Sequence, residues 1–365
     1  MSTPTTTTTD GEATAHADTP LDLLATPSAQ LQVAANSWFG ESKGAGFAKR
    51  IHRQAVCDGL FDPAALGASP RSAAVWHQRA MLQLPVGVDE QREPGAHGEI
   101  QKRLIRLKDQ RTIESVSLPM GHGRRSLCVS TQVGCARACT FCETGRMGLL
   151  RNLTAGEIVA QVTMQRRTSS VDQVVFQGMG EPLDNLDALL PAMQILTDSA
   201  GLGMAHDRLT VCTVGHVPGI EALRQLGWKR LGLSLSLNSA DEDQRAKLMP
   251  HSVRYSLREI QSSLIAYRQR KNMALGVHWC LLPGINDHER DADQIAAFIK
   301  PLGRTFVHVI PFNPGTAPIA RAPSEHEIVT FVSLLRDRGV AVRRRITKGR
   351  SVMAGCGQLG AKQRV

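Results

Sequence analysis

Residues 126–148, SLCVSTQVGCARACTFCETGRMG, open on a short β-branched and leucine-rich run and pass directly into three closely spaced cysteines. The run 126–131 (SLCVST) reads as a strand. The loop after it sets Cys135, Cys139 and Cys142 in a Cys-x3-Cys-x2-Cys pattern. Thiolates hold iron–sulfur clusters. Three of them on a cubane leave one iron free for an exchangeable ligand, as open metal sites do elsewhere. Structural zinc is the competing reading. Zinc takes four ligands, commonly as paired Cys-x2-Cys knuckles. The chain has no second pair, and nothing in the spacing of His122 recommends it as a fourth ligand.

Downstream of this loop the pattern is regular. Strand candidates recur at 172–177 (DQVVFQ), 208–213 (RLTVCT), 230–237 (RLGLSLSL), 274–282 (ALGVHWCLL) and 305–311 (TFVHVIP). Helical stretches lie between them. Thr154-x-x-Glu157, Ser239-x-x-Glu242 and Ser324-x-x-Glu327 fit capping boxes at helix starts. Six strand–helix units in series predict a parallel α/β sheet with right-handed crossovers. Pattern alone leaves an open doubly wound sheet and a partial barrel as alternatives. Either fold puts ligands at the carboxyl ends of the strands, where the motifs fall.

Upstream, residues 99–118 alternate as a small β element, 89–98 (DEQREPGAHG) reads as a linker, and 21–95 as a small helical accessory domain. The catalytic domain is expected over 99–365. Residues 1–20 are Thr-rich, contain acids and lack Lys and Arg. They read as a disordered tail and not as a signal or transit peptide. No apolar run is long enough to span a bilayer. A reducing, cytoplasmic compartment follows as the expectation, with the cysteine cluster a metal site and not a disulfide framework.

The 365 residues are 42% hydrophobic and 21% charged, which fits an enzyme with a real core and argues against a disordered or membrane-embedded chain. The net charge of +10 favours a polyanionic partner such as nucleic acid. Arg343, Arg344 and Arg345 with Lys348 and Arg350 form one basic group, and Lys102, Arg103, Arg106, Lys108 and Arg111 another. Both are candidates for phosphate contact.

The cysteine spacing after a first strand resembles the radical S-adenosylmethionine (SAM) superfamily. So does Gly178-Met179-Gly180-Glu181-Pro182 at the end of the second strand, which looks like that superfamily's SAM-binding element. The resemblance implies a [4Fe–4S] cluster whose open iron binds SAM, and reductive cleavage of SAM to a 5′-deoxyadenosyl radical. It narrows to the RlmN/Cfr family of adenine-carbon rRNA methyltransferases over roughly residues 99–360. The blocks that carry it are 127–135 (LCVSTQVGC), 151–154 (RNLT), 178–183 (GMGEPL), 247–250 (KLMP), 310–314 (IPFNP) and 355–359 (GCGQL).

That resemblance implies a partial (β/α)6 barrel behind a small N-terminal helical domain and short β extension. It also implies roles. Cys356 matches the cysteine that SAM first methylates, and Cys128 the one that resolves the protein–RNA crosslink. Glu114 lies near the family's proton acceptor. Gly180, Glu181, Cys212, Ser236, Asn238 and Asn313 match SAM contacts. The expected reaction is methylation of an adenine carbon, C2 ahead of C8, in rRNA and by extension tRNA. The expected partners are RNA and an electron donor such as flavodoxin or ferredoxin, with the enzyme a monomer. The chain departs from the family at 212–215 (CTVG for the usual STSG), at Asn238 (usually His) and at Gln177 (usually aliphatic or Met). A radical SAM enzyme with a non-RNA substrate is the alternative. An RNA-binding protein with a structural metal is the non-enzymatic one.

Overall fold

The computed structural model describes residues 19–40, 44–252, 254–268, 270–346, 349 and 351–360. Residues 1–18 of the expected tail, and Lys348 and Arg350 of the basic group, lie outside the described residues.

A ten-stranded sheet organises the chain. It begins at an antiparallel edge with β3 (Gly87–Glu93), β4 (Ile100–Arg106) and β5 (Thr112–Gly121), after a two-residue parallel pair, β1 (Leu21–Asp22) with β2 (Ala80–Met81). β5 pairs antiparallel with β6 (Arg124–Val129). A short antiparallel pair, β7 (Gln132–Gly134) with β8 (Leu149–Asn152), encloses the cysteine loop. The parallel series continues from β6 through β9 (Gln173–Phe176), β10 (Leu209–Thr213), β11 (Gly232–Ser236), β12 (Leu275–Leu281), β13 (Thr305–Pro311) and β14 (Val342–Arg344). Each of these strands lies beside the next one in sequence. A doubly wound sheet would reverse that order at a switch point. Right-handed crossovers with no reversal put the helices that connect the parallel strands on one face, which makes the fold a singly wound open barrel.

The pleat sorts the side chains. Leu127, Val129, Val174, Phe176, Leu209, Val211, Leu233, Leu235, Val277, Trp279, Val307 and Val309 are almost wholly buried and face the helices. Their register-paired neighbours Cys128, Val175, Thr210, Cys212, Ser234, His278 and His308 share the opposite face. A period of two thus yields a greasy outer wall and a polar lumen from the same strands. Trp279 anchors the outer wall. It stacks on Phe331 of the helix Glu325–Asp337, and its Nε1–H donates to Asn286 O at 3.1 Å.

The capping boxes at Thr154/Glu157 and Ser324/Glu327 form as expected. The one expected at Ser239/Glu242 does not: Asp241 caps that helix by accepting from Gln244 N, because the Ser239 hydroxyl is held by Gln244 Oε1 and Asp241 O. A further box, Ser256 with Glu259, opens the helix Leu257–Tyr267. The linker expected at 89–98 is also corrected. Gly87–Glu93 is an edge strand, polar because it has only one sheet neighbour and pairs its charges with β4, as in Glu90 with Arg103 at 2.9 Å.

Helices Ser28–Phe39, Ala45–Arg53 and Pro70–Arg79 lie in the N-terminal region, together with the strands β1, β2 and β3. Leu23, Leu31, Ile51 and Trp76 join the same buried cluster as the barrel wall. Thr163 Oγ1 donates to Val56 O, and Ser28 N donates to Asp198 Oδ2, across that junction. Among the described residues no helix is long and apolar enough to cross a membrane.

Trp279→Ala removes a fully enclosed ring and a buried hydrogen bond. It is expected to cost about 3–5 kcal/mol, read from chemical denaturation. A loss below roughly 1 kcal/mol would show that the outer wall does not depend on this residue.

Candidate active site

The cysteine loop, the Gly178–Pro182 turn and the C-terminal segment converge at the carboxyl end of the parallel strands. Cys135 N donates to Gly148 O, and Cys142 N to Cys139 O, which closes the cysteine loop on itself. Gly145 packs against Cys139 so tightly that a Cβ would come within 2.8 Å of Cys139 N. Burial is the first cause that raises the thiol pKa values, with Cys135 pushed up to about 12, and the sulfurs also act on one another. Yet among the described residues no three His, Cys, Asp or Glu side chains converge closely enough to hold a single metal ion. The sulfurs of Cys135, Cys139 and Cys142 are coupled electrostatically, and thiolates are the ligands that hold iron–sulfur clusters.

The turn after β9 is built on backbone approach. Gly178 N donates to Val129 O, and Met179 O receives Thr131 N and Gln132 N. Gly180 has φ +100°, and a Cβ there would strike Gln132 at 2.6 Å. Glu181 N donates to Gln132 Oε1, while its carboxylate accepts from Leu183 N and Val214 N at 3.2 and 2.9 Å. Burial pushes this carboxyl up to about 7, against the hydrogen bonds from Thr213 and Val214.

The C-terminal segment is strapped across the barrel mouth. Lys102 Nζ donates to Met353 O, and Gly360 N donates to Glu114 Oε2. Glu93 accepts from Gly349 N and Ser351 N. Glu143 N donates to Gly357 O, and Thr144 Oγ1 to Leu359 O, so the cysteine loop and the strap hold each other. Glu143 also grips Thr316 N and Oγ1 beyond β13 at 2.8 Å each.

This strap carries Cys356 to the lumen. Cys356 is exposed as a residue, but its sulfur receives Gln177 Nε2 at 3.5 Å, and desolvation pushes the thiol up to about 11. Cys128, on the lumen face of β6, is pushed up to about 12 by burial and then by Cys356, so the two thiols lie within electrostatic reach. Cys212 donates to Gln177 Oε1 at 3.4 Å. Asn313 Nδ2 reaches Cys356 O at 3.5 Å, and its buried Oδ1 has no partner. The orphaned oxygen, the glycine turn and Glu181 suit a ligand bearing an ammonium and hydroxyls.

Other expected residues sit differently. Glu114 is wholly buried with Lys102 Nζ at 3.0 Å, and its Oε2 also anchors the strap. Asn238, at φ +57°, accepts from Cys280 N at 2.9 Å and turns its Nδ2 to Met249 Sδ. Ser236 pairs with His278 in register at the strand end. The second basic group is corrected in part. Lys102 and Arg103 are buried and ion-paired with Glu114 and Glu90, so neither is a phosphate contact, while Arg106, Lys108 and Arg111 are exposed.

Two lumen residues escaped sequence reading: His278 and His308. His278 and His308 meet edge to face at 5.2 Å, and Arg345 Nε reaches His308 Nδ1 at 3.1 Å. Burial holds both imidazoles neutral, His308 down to about 4. Only the strand register, once known, reveals that they point inward.

Comparison with known proteins gives the family and the fold. The signature of the Radical SAM superfamily matches residues 129–295. A dual-specificity RNA methyltransferase RlmN from Syntrophotalea carbinolica is 39% identical over 289 residues, 78% of this chain and 76% of its own. A ribosomal RNA large subunit methyltransferase N from Nitrosopumilus maritimus is 36% identical, over 72% of this chain and 77% of its own. The crystal structure of a radical SAM methyltransferase from Sphaerobacter thermophilus superposes with a TM-score of 0.83 at 31% identity, over 94% of this chain and 100% of that one.

Lys102→Met removes the ammonium partner of the buried Glu114 carboxyl under the strap. It is expected to cost about 3–5 kcal/mol, and Lys102→Met combined with Glu114→Gln to recover most of that. Chemical denaturation checks both. A single variant as stable as the parent would remove the pair from the scaffold.

Proposed function

Because the chain belongs to the RlmN-type family of radical SAM methyltransferases, we propose that it methylates an adenine carbon of RNA, C2 ahead of C8, through a methyl group carried on Cys356. The observation that carries this reading is the placement of Cys356. A strap tied to the cysteine loop brings it into one lumen with Cys128. When bound, the cluster supplies an electron and SAM supplies both a methyl group and a carbon-centred radical.

The remaining work falls to the chain's own side chains. Cys135, Cys139 and Cys142 hold the cluster. Glu181 takes the SAM ammonium, with Asn313 Oδ1 and the Gly180 backbone beside it. Cys356, once methylated on sulfur, presents a thioether methyl to the ring carbon. Loss of one hydrogen atom from that methyl to the radical lets its carbon bond to the ring carbon, which then gives up one electron to the cluster and its ring proton to a base. The Cys128 thiolate attacks the Cys356 sulfur, a Cys128–Cys356 disulfide forms as the S–CH2 bond breaks, and the released carbon takes a proton to become the methyl group. An aromatic ring carbon is a poor nucleophile toward an ordinary methyl donor, and a radical on a tethered carbon avoids that barrier.

Arg343 and Arg345 support the RNA reading. Arg345 sits near the Cys356 and Cys128 sulfurs, and Arg343 lies over the Phe306 ring at 4.1 Å. Both residues are exposed and cationic, as phosphate contacts require. The relatives named as RNA methyltransferases supply the substrate class. A small redox protein such as flavodoxin or ferredoxin is the fitting electron donor.

The test is nucleoside mass spectrometry of rRNA and tRNA after incubation with anaerobically reconstituted protein, SAM and reductant. Methyladenosine is expected in at least one, and none with Cys356→Ala or Cys135→Ala. Robust SAM cleavage with no RNA methylation would move the substrate outside RNA.

SAM affinity carries a further expectation. The Glu181 carboxyl, raised by burial to about 7, is ionised above that pH and neutral below it. Binding of an ammonium is therefore expected to weaken as pH falls from about 8 to 6, by up to about tenfold per unit. In Glu181→Gln calorimetry is expected to show no such slope. An unchanged slope would assign the proton elsewhere.

A further inference from the structure

Gln177 closes β9 on its lumen side and touches three thiols. Its backbone N–H reaches the Cys128 sulfur. Its Oε1 accepts from Cys212 Sγ at 3.4 Å. Its Nε2 lies 3.5 Å from Cys356 Sγ and 3.2 Å from His278 Nδ1. An amide nitrogen has two hydrogens, so one serves each of these acceptors. With the amide in this orientation Cys212 donates to its oxygen, and the neutral His278 ring accepts from its nitrogen when the imidazole proton sits on Nε2.

We propose that Gln177 is a positioning residue that holds the Cys356 sulfur in register with Cys128 and stabilises its thiolate. An aliphatic side chain of the same length would fill the space and donate nothing. The other groups acting on the Cys356 sulfur differ in kind. Cys128, Cys212 and Cys280 are neighbouring thiols whose charge opposes that of Cys356, while Arg345 adds positive charge and the Gly357 backbone a further hydrogen bond. Gln177 is the side-chain hydrogen-bond donor to this sulfur. The consequence for catalysis rests on the methyl-carrier reading above. Cys356 must lose its S–H proton, which passes to water, to attack the SAM methyl carbon. The new S–CH3 bond forms as the methyl–sulfonium bond breaks, and S-adenosylhomocysteine leaves.

The sign of one experiment separates this role from a merely structural one. The full-length, reconstituted protein is treated briefly with iodoacetamide and each cysteine peptide quantified, with Cys57, remote from the lumen, as the internal reference. Alkylation proceeds through the thiolate. Loss of the N–H···S bond in Gln177→Met is expected to slow Cys356 about fivefold relative to Cys57. Gln177→Glu keeps the shape, removes the donor and adds negative charge, so it is expected to slow Cys356 further. A loosened fold would instead speed alkylation. Unchanged or faster Cys356 alkylation in both variants would overturn the proposal. Methylation of Cys356 by SAM is expected to slow in the same proportion, and undiminished methylation would overturn its catalytic consequence. Should the parent protein take no methyl group at Cys356, the methyl-carrier reading fails while the alkylation comparison still decides the contact.

Discussion

The buried ion pair of Lys102 with Glu114 is the constraint on which the site depends. Both side chains are almost fully enclosed, on neighbouring antiparallel strands. Two charges cannot stay there without each other. Each also holds one end of the C-terminal strap, Lys102 through Met353 O and Glu114 through Gly360 N. The small β extension is therefore the buckle that brings Cys356 over the barrel. The resemblance implied a proton-acceptor role for Glu114; the geometry gives the carboxylate a fixed partner and a fixed load.

A second constraint is the division of each barrel strand into two faces. The outer face buries aliphatic and aromatic groups under helices, which stabilises the barrel by roughly 25 cal/mol per Å2 of apolar surface removed from water. The inner face holds thiols, imidazoles, hydroxyls and an amide. Polar groups enclosed this way need partners, and they find them in one another: Cys212 with Gln177, Gln177 with His278 and Cys356, and His308 with Arg345. The network keeps these polar groups ordered at the strand ends.

Six of the seven parallel strands were legible because their outer faces are strongly apolar and β-branched, and their sequence candidates overlap the observed strands within about two residues; Val342–Arg344 was not, because its exposed arginines read only as a basic cluster. The cysteine loop and the Gly178–Pro182 turn were legible because their chemistry demands particular residues at short spacing. Singly wound order was not, since local periodicity carries no information about which strands are neighbours. The strand Gly87–Glu93 was hidden by its own polarity as an edge. Lys102 and Arg103 read as surface charge because burial depends on partners, Glu114 and Glu90, that lie many residues away in sequence. Gln177 stood out as a departure, but its partners come from four separate parts of the chain, which only the fold assembles.

The central claim is that Cys356 carries the methyl group. The most direct test is peptide mass spectrometry of the purified, reconstituted protein after incubation with SAM bearing a CD3 group. The account predicts a labelled methyl on the Cys356 peptide, with Cys128, Cys212 and Cys280 unlabelled. SAM cleavage by an intact cluster with Cys356 left unlabelled would contradict it.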